Sequence, residues 1–213
     1  MRATDDEETN IPRWLDWARE LAAMAQTGLT YARDPYDVAR YQRLQAIAAE
    51  MIASNSPADY RRVHDLITGE TGHPTPKLDV RAAVFQDENV LLVRERADGG
   101  WTLPGGWADP GESPREAAER ETQEESGYLV RANRLLAVYD RNKHPHPPLI
   151  YHAYKLFFAC QIVGGEARES SETTGVGFFP VTALPGLSLA RVTPAQIERL
   201  YAINQDGLAA DFD

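Results

Sequence analysis

Residues 105–127 read GGWADPGESPREAAERETQEESG, and local physics sets the boundaries of a helix within this stretch. Ser113 and Glu116 have the spacing of a capping box, in which each side chain satisfies a backbone N–H of the first turn. Pro114 suits the first helical position, and Gly127 suits the left-handed conformation that ends many helices. The sequence therefore predicts a helix over 113–126 that follows a glycine-rich turn.

Three glutamates of this helix share one face. At 100° per residue, Glu121, Glu124 and Glu125 fall within an arc of about 100°. Like charges at this spacing destabilise a helix, so the pattern indicates either a solvated acidic face or a cation site. The adjacent Arg120 and the glycine turn favour a site for Mg²⁺ or Mn²⁺, which prefer oxygen ligands. Gly106 would let a main-chain carbonyl approach the same ion.

Apolar periodicity divides the chain into a helical N-terminal part and a strand-rich remainder. Helical patterns begin near Trp14, at Asp34–Pro35 and at Ser56–Pro57, and glycines and prolines interrupt them over 69–76. Strand patterns then follow at 80–85, 90–94, 135–139, 151–162 and 176–180, with helices at 113–126 and 193–203. We expect an α+β fold, an α/β/α sandwich with a mixed sheet, preceded by a small all-α region. The expected domains are 1–72 and 73–213.

The helical region carries more apolar surface than three short helices can bury. Trp17 and Met24 widen the apolar face of the first helix beyond one packing surface. Wide apolar faces of this kind usually mark interfaces, so the sequence predicts a homodimer formed through region 1–72.

Charge and composition exclude several classes of protein. The 213 residues carry a formal net charge of -10, which disfavours general nucleic-acid binding and leaves a small phosphorylated ligand held through a metal. Hydropathy predicts neither a membrane span nor a signal segment, so we expect a cytoplasmic protein.

Residues 106–128 resemble the Nudix box, Gly-x5-Glu-x7-Arg-Glu-U-x-Glu-Glu-x-Gly-U, where U is a bulky apolar residue. The matching positions are Gly106, Glu112, Arg120, Glu121, Glu124, Glu125 and Gly127. Thr122 and Tyr128 depart from the family pattern at the two U positions. The segments 14–20, 28–31 and 103–109 are similar to Nudix hydrolases with an N-terminal helical extension, typed as ADP-ribose or CDP-choline pyrophosphatases.

The resemblance implies a Nudix fold, with a catalytic loop-helix-loop, and metal-dependent hydrolysis of a nucleoside diphosphate linked to a group X. The products would be a nucleoside monophosphate and phospho-X. Arg120 would hold a glutamate in its ligating rotamer, and Glu112 would either pair with Arg120 or take a metal. The implied metal ligands are Gly106, Glu112, Glu121, Glu124 and Glu125.

More than one residue is a candidate for the general base, and several are candidates for contact with the substrate. Family members take the base from the box or from a loop before a late strand, so Glu172 stands beside Glu124 and Glu125 as a candidate. The candidates for contact with substrate are Trp107, Tyr139 and His144. Two alternatives use the same box: a nucleoside triphosphate pyrophosphohydrolase, and a scaffold that binds nucleotides without catalysis.

Overall fold

The computed structural model describes residues 11–213, which form two compact units. One unit comprises Ile11–Pro76 and Pro148–His152, and the other comprises Lys77–Pro147 and Ala153–Asp213. The first ten residues of the predicted region 1–72 lie outside the described residues. Within the described part of the chain, no helix is both long and apolar enough to cross a membrane.

The first unit is built from three helices, α1 (Arg13–Tyr31), α2 (Pro35–Ser54) and α3 (Tyr60–Thr68). Asp34 caps α2 by accepting the backbone N–H groups of Tyr36 and Asp37, with proline at the first position as the sequence predicts. The small core of the unit contains Leu15, Ala18, Ala49, Ile52 and Val63.

The third helix begins later than the Ser56–Pro57 signal predicts. The Ser56 hydroxyl accepts the N–H of Ala58 at 3.3 Å and so forms a local turn. The N-cap is Asp59, whose carboxylate accepts the N–H of Arg62 at 3.2 Å. Both residues are good caps, and the turn at Ser56 displaces the helix start to Tyr60.

The second unit follows the predicted succession of strands and helices, with two additional strands of two residues each. Its elements are β1 (Lys77–Gln86), β2 (Asn89–Glu95), β3 (Trp101–Thr102), α4 (Pro114–Ser126), β4 (Tyr128–Asp140), β5 (Ala153–Gly165), β6 (Thr173–Pro180), α5 (Pro194–Gln205) and β7 (Asp211–Phe212). The strand order is β3-β2-β1-β5-β4-β7, and β6 pairs with β2. Because β1 runs parallel to β5 while β4 runs antiparallel to it, the sheet is mixed as predicted.

The two helices of this unit cover opposite faces of the sheet. Ala117 and Ala118 of α4 pack with Val80 and Leu156. The apolar residues of α5 belong instead to the cluster that contains Phe157. Since Leu156 and Phe157 are consecutive residues of one strand, they point to opposite faces. The α+β sandwich that the sequence predicts is therefore confirmed.

Candidate active site

Helix α4 is anchored at both ends by its own sequence. Ser113 and Glu116 form the predicted capping box, with the Ser113 N–H donating to the Glu116 carboxylate at 2.8 Å. Gly127 ends the helix in the left-handed conformation at φ 78°. These two ends fix which way the glutamates of the last two turns point.

Arg120 holds three glutamates around its guanidinium group. Its Nε and Nη2 donate to the two oxygens of Glu112 at 2.6 and 3.0 Å, a bidentate pair. Its Nη1 donates to Glu121 at 2.9 Å and to Glu124 at 2.8 Å. The hydrogen bond from Arg120 keeps the pKa of Glu112 below its ordinary value. One cation therefore gathers carboxylates that would otherwise repel one another.

Glu125 is the most deeply buried carboxylate of the helix, with 5% of its surface exposed. Its Oε2 accepts the backbone N–H of Gly105 at 2.9 Å. Burial raises the pKa of Glu125 to about 7, although the nearby Arg81 works in the opposite direction. Burial also raises the pKa of Glu121. These two groups occupy the side of the helix that faces the protein.

The glycine turn that precedes the helix fits closely against β1 and α4. Gly105 adopts φ 140°, and a Cβ built on it would meet the carbonyl oxygen of Val80 at 2.0 Å. A Cβ on Gly106 would come within 3.0 to 3.1 Å of the Glu121 carboxylate. The Gly106 carbonyl accepts the N–H of Val80 at 2.8 Å. Glycine is therefore required at position 105 by the close approach of the strand, whereas a Cβ at position 106 would displace the Glu121 carboxylate by a few tenths of an ångström.

A buried group of charges lies behind this turn and was missed by sequence reasoning. Arg81 donates to Asp79 at 2.7 Å and to the carbonyl oxygen of Leu103 at 3.1 Å. Lys155, which is fully buried, donates to the other oxygen of Asp79 at 2.5 Å. Alternating charges within β1 were the available signal, but such alternation normally indicates a solvent-facing side of a strand. Arg81 thus fixes the backbone just before the glycine turn.

The loop that carries Glu172 is attached to the end of α4. The Thr173 hydroxyl donates to the carbonyl oxygen of Glu125 at 2.7 Å. Arg96 holds the same loop through the carbonyl oxygen of Ser171 at 3.0 Å. Glu172 itself is exposed. The structure therefore brings the backbone of this loop next to the box glutamates.

The three residues predicted to contact substrate have different surroundings. Trp107 is 44% exposed, and its backbone forms an isolated antiparallel bridge with Asp79 of β1. Tyr139 is 4% exposed, and its hydroxyl donates to Asp211 at 3.0 Å. His144 lies with its ring centroid 4.4 Å from that of Tyr139 and its Nε2 3.2 Å from Asp213. The Tyr139 ring is packed inside the unit, so its role in substrate binding stays a prediction.

The carboxylates in the structure are arranged around Arg120. Among residues 11–213, no three His, Cys, Asp or Glu side chains lie in positions that close around one metal ion. Arg120 takes the oxygens of Glu112, Glu121 and Glu124, which explains their arrangement. The predicted assignment of these residues to a metal stays a prediction.

Comparison with known families assigns both parts of the chain. Residues 75–201 match the NUDIX domain, and residues 12–67 match a domain described as UDP-X-like, N-terminal oligomerisation domain. The Nudix match spans more than half of the chain and contains α4 and the glycine turn. The chain therefore belongs to the Nudix hydrolases.

Similarity to individual proteins extends beyond the Nudix domain. The chain is 47% identical over 89% of its length, and 91% of the relative, to the Bacillus subtilis protein named "Putative ADP-ribose pyrophosphatase YjhB". Its structure is similar to that of a UDP-X diphosphatase, with a TM-score of 0.63, 34% identity, and 94% and 98% of the two chains covered. An ADP-ribose pyrophosphatase from Streptococcus suis gives a TM-score of 0.59 at 41% identity and covers 65% of this chain and all of its own.

Proposed function

We propose that this Nudix hydrolase cleaves the pyrophosphate bond of a nucleoside diphosphate linked to a small group X, with ADP-ribose and CDP-choline as the two best candidates. The observation that carries the proposal is similarity over nearly the full chain, including the helical extension, to one protein named as a putative ADP-ribose pyrophosphatase and another named as a UDP-X diphosphatase. The products would be a nucleoside monophosphate and phospho-X. A nucleoside triphosphate pyrophosphohydrolase is the second candidate, and a nucleotide-binding scaffold without catalysis is the third.

The side chains of the site have the donor chemistry that suits a divalent cation, although in the structure they are gathered around Arg120. Nudix hydrolases in general use divalent metal ions. Three glutamates surround a single arginine here, and Glu125 lies on the same helix with its carboxylate bonded to the Gly105 N–H, which leaves a net negative site with hard oxygen donors. The burial that raises the pKa of Glu125 also shows a carboxylate whose charge is poorly compensated by the protein. We propose Glu112, Glu121, Glu124, Glu125 and the Gly106 carbonyl as ligands for Mg²⁺ or Mn²⁺. Such an ion supplies charge neutralisation at the diphosphate.

Hydrolysis adds the oxygen of a water molecule to one phosphorus atom and breaks the bridging P–O bond. Arg120 would act by keeping Glu121 and Glu124 in fixed rotamers, because its Nη1 donates to both. The N–H of Gly105 would hold the Glu125 carboxylate in the same way. Pre-set carboxylates reduce the reorganisation needed when the charged substrate arrives.

The base that takes the proton of the attacking water is a choice among Glu124, Glu125 and Glu172. Burial raises the pKa of Glu125 to about 7 in the metal-free protein, and a cation bound to this carboxylate would lower it. Glu172 lies on an exposed loop whose backbone is bonded to the end of α4 through Thr173. Replacing each of these glutamates by glutamine tests which of them acts as the base.

Substrate choice is tested by measuring monophosphate release from a panel in the presence of Mg²⁺ or Mn²⁺. The panel contains ADP-ribose, CDP-choline, a UDP-linked sugar, NADH, diadenosine polyphosphates and nucleoside triphosphates. We expect the highest kcat/KM for an NDP-X compound with a small X. Faster turnover of a triphosphate would favour the second candidate, and no turnover of any compound would favour a binding scaffold.

We also propose that the chain acts as a homodimer assembled through its N-terminal helices. The helical part matches an oligomerisation domain, and Trp17, Met24 and Tyr31 of α1 are between 49% and 69% exposed. Sedimentation should give about twice 23.7 kDa. Trp17→Glu should reduce that mass to one chain, and a monomer for the unmodified protein at micromolar concentration would refute the proposal. The cytoplasmic location stays a prediction.

A further inference from the structure

The three N-terminal helices and residues 70–72 line an open polar cavity of about 620 Å³, which lies within the size range of small-molecule sites. At one end of α1 and α2 the residues that face inward are apolar, as at Leu15 and Ile52. Where the two helices line the cavity, most of these residues are polar. Each helix contributes one polar pair at helical spacing. The pairs are Gln26 and Thr30, Gln42 and Gln45, and His64 and Thr68.

Gln45 is the most deeply buried side chain of the cavity lining. It is 4% exposed and lines the cavity. Among the other lining groups, Gln26 donates to the carbonyl oxygen of Gly72 at 3.0 Å, and Thr30 and Thr68 donate to main-chain oxygens at 2.9 Å. The Gln45 amide carries both a donor and an acceptor that an occupant of the cavity can use.

The chemistry of the lining selects the class of that occupant. None of the described lining residues is a lysine or arginine, and the carboxyl-bearing Glu70 is among them. A phosphorylated ligand is therefore disfavoured by charge. Amides and hydroxyls match a ligand that both donates and accepts hydrogen bonds, and Leu29 adds an apolar contact.

We propose that this cavity binds an uncharged, hydroxyl-rich small molecule, with the Gln45 amide as the central hydrogen-bonding group. A free sugar and a nucleoside share this chemistry. The site is separate from the carboxylate cluster of α4, since all of its lining residues belong to the helical unit. The proposal does not depend on the identity of the hydrolysed substrate.

Calorimetric titration of the full-length protein tests the proposal with five probes: D-ribose, D-glucose, cytidine, uridine and adenosine. We expect at least one probe to bind with one site per chain, and comparison of ribose with the nucleosides identifies the source. Gln45→Leu removes the amide at similar volume and should weaken binding at least tenfold. Gln205→Leu, which changes an exposed glutamine of the other unit, should leave the affinity unchanged.

Several results would overturn the proposal. One is the absence of binding by all five probes at millimolar concentration, and another is equal affinity in the Gln45→Leu and Gln205→Leu proteins. A change of sedimenting mass in Gln45→Leu would also overturn it, because a second copy of the chain would then cover the cavity. A melting scan of Gln45→Leu shows whether this variant folds. If it does not fold, Gln42→Leu provides the same test from the exposed edge of the cavity.

Discussion

The backbone N–H of Gly105 donates to Oε2 of Glu125 at 2.9 Å and so joins the glycine turn to the last turn of α4 across twenty residues of sequence. The same turn is held from the other side, because Arg81 donates to the carbonyl oxygen of Leu103. The position of the Glu125 carboxylate therefore depends on the turn as well as on the helix. In this respect Glu125 differs from Glu124. The side chain of Glu124 is 59% exposed and is bonded only to Arg120 among the described residues.

Replacing these two glutamates by glutamine should have equal effects on turnover and different effects on stability. Each change removes one proposed metal-ligating charge, so kcat should fall by about 10²-fold or more. In metal-free protein at pH 8, Glu125→Gln should raise the melting temperature. Burial raises the folded pKa of Glu125 from 4.5 to about 7, so its ionisation destabilises the fold as pH rises through that interval.

Glu124→Gln should leave the metal-free melting temperature nearly unchanged, because an exposed ion pair contributes at most about 1 kcal/mol. Calorimetric scans and steady-state kinetics on both proteins check these expectations. Near-normal turnover in both variants at the same Mg²⁺ concentration would refute the metal assignment.

Gly106→Ala tests the close contact between the turn and Glu121. The added Cβ would lie 3.0 to 3.1 Å from the Glu121 carboxylate, which must shift by a few tenths of an ångström. We expect kcat/KM to fall by about tenfold and more Mg²⁺ to be needed for half-maximal activity, with little change in melting temperature. Gly186→Ala is the matched control, since its Cβ would have no neighbour within 4 Å. Equal kinetics of the two variants would show that the Glu121 position does not depend on this contact.

Sequence reasoning located α4 and its glutamates because their determinants are local. The capping box at Ser113 and the C-cap at Gly127 are set by residues within one turn of each helix end. The β1–β2 hairpin was likewise predictable, since apolar runs flank a short polar turn in which Asp87 takes φ 52°. Local signals therefore sufficed for the main elements and for the residues of the box.

Features that depend on distant partners could not be predicted. The two-residue strands β3 and β7 are too short for periodicity to show, and they form by pairing with β2 and β4. The buried pair of Asp79 and Lys155 joins strands 76 residues apart. Each charge in isolation predicts exposure, so its burial follows only from the register between β1 and β5.

Glu172→Gln distinguishes the loop base from a base in the box. If Glu172 takes the proton, kcat should fall by about 10²-fold with the Mg²⁺ dependence of activity unchanged. Glu169→Gln is the control, because Glu169 is an exposed glutamate of the same loop and should keep full activity. Near-normal kcat in Glu172→Gln would assign the base to Glu124 or Glu125.

His146 is held in its neutral form by two partners inside the second unit. Its Nδ1–H donates to the carbonyl oxygen of Leu189 at 2.7 Å, so Nε2 accepts from the amide of Gln196 at 3.2 Å. Gln196 cannot reverse its amide freely, because its Oε1 accepts the N–H of Thr193 at 3.1 Å. Protonation of His146 would place an N–H donor at Nε2 against the amide N–H donor of Gln196. Burial is the main cause that lowers its pKa from 6.5 to about 4.

Stability should therefore decrease as pH falls from 6.5 to 4, because the unfolded chain binds a proton at His146 that the folded protein excludes. The shift of the pKa corresponds to on the order of 3 kcal/mol across this interval. Urea unfolding at pH 4.5, 5.5 and 7 should show the free energy of wild type falling relative to His146→Gln, which has no group to titrate at that position. His73→Gln, at an exposed histidine, is the control, and its curve should run parallel to wild type. Parallel curves for wild type and His146→Gln would show that His146 binds its proton equally in the folded and unfolded states.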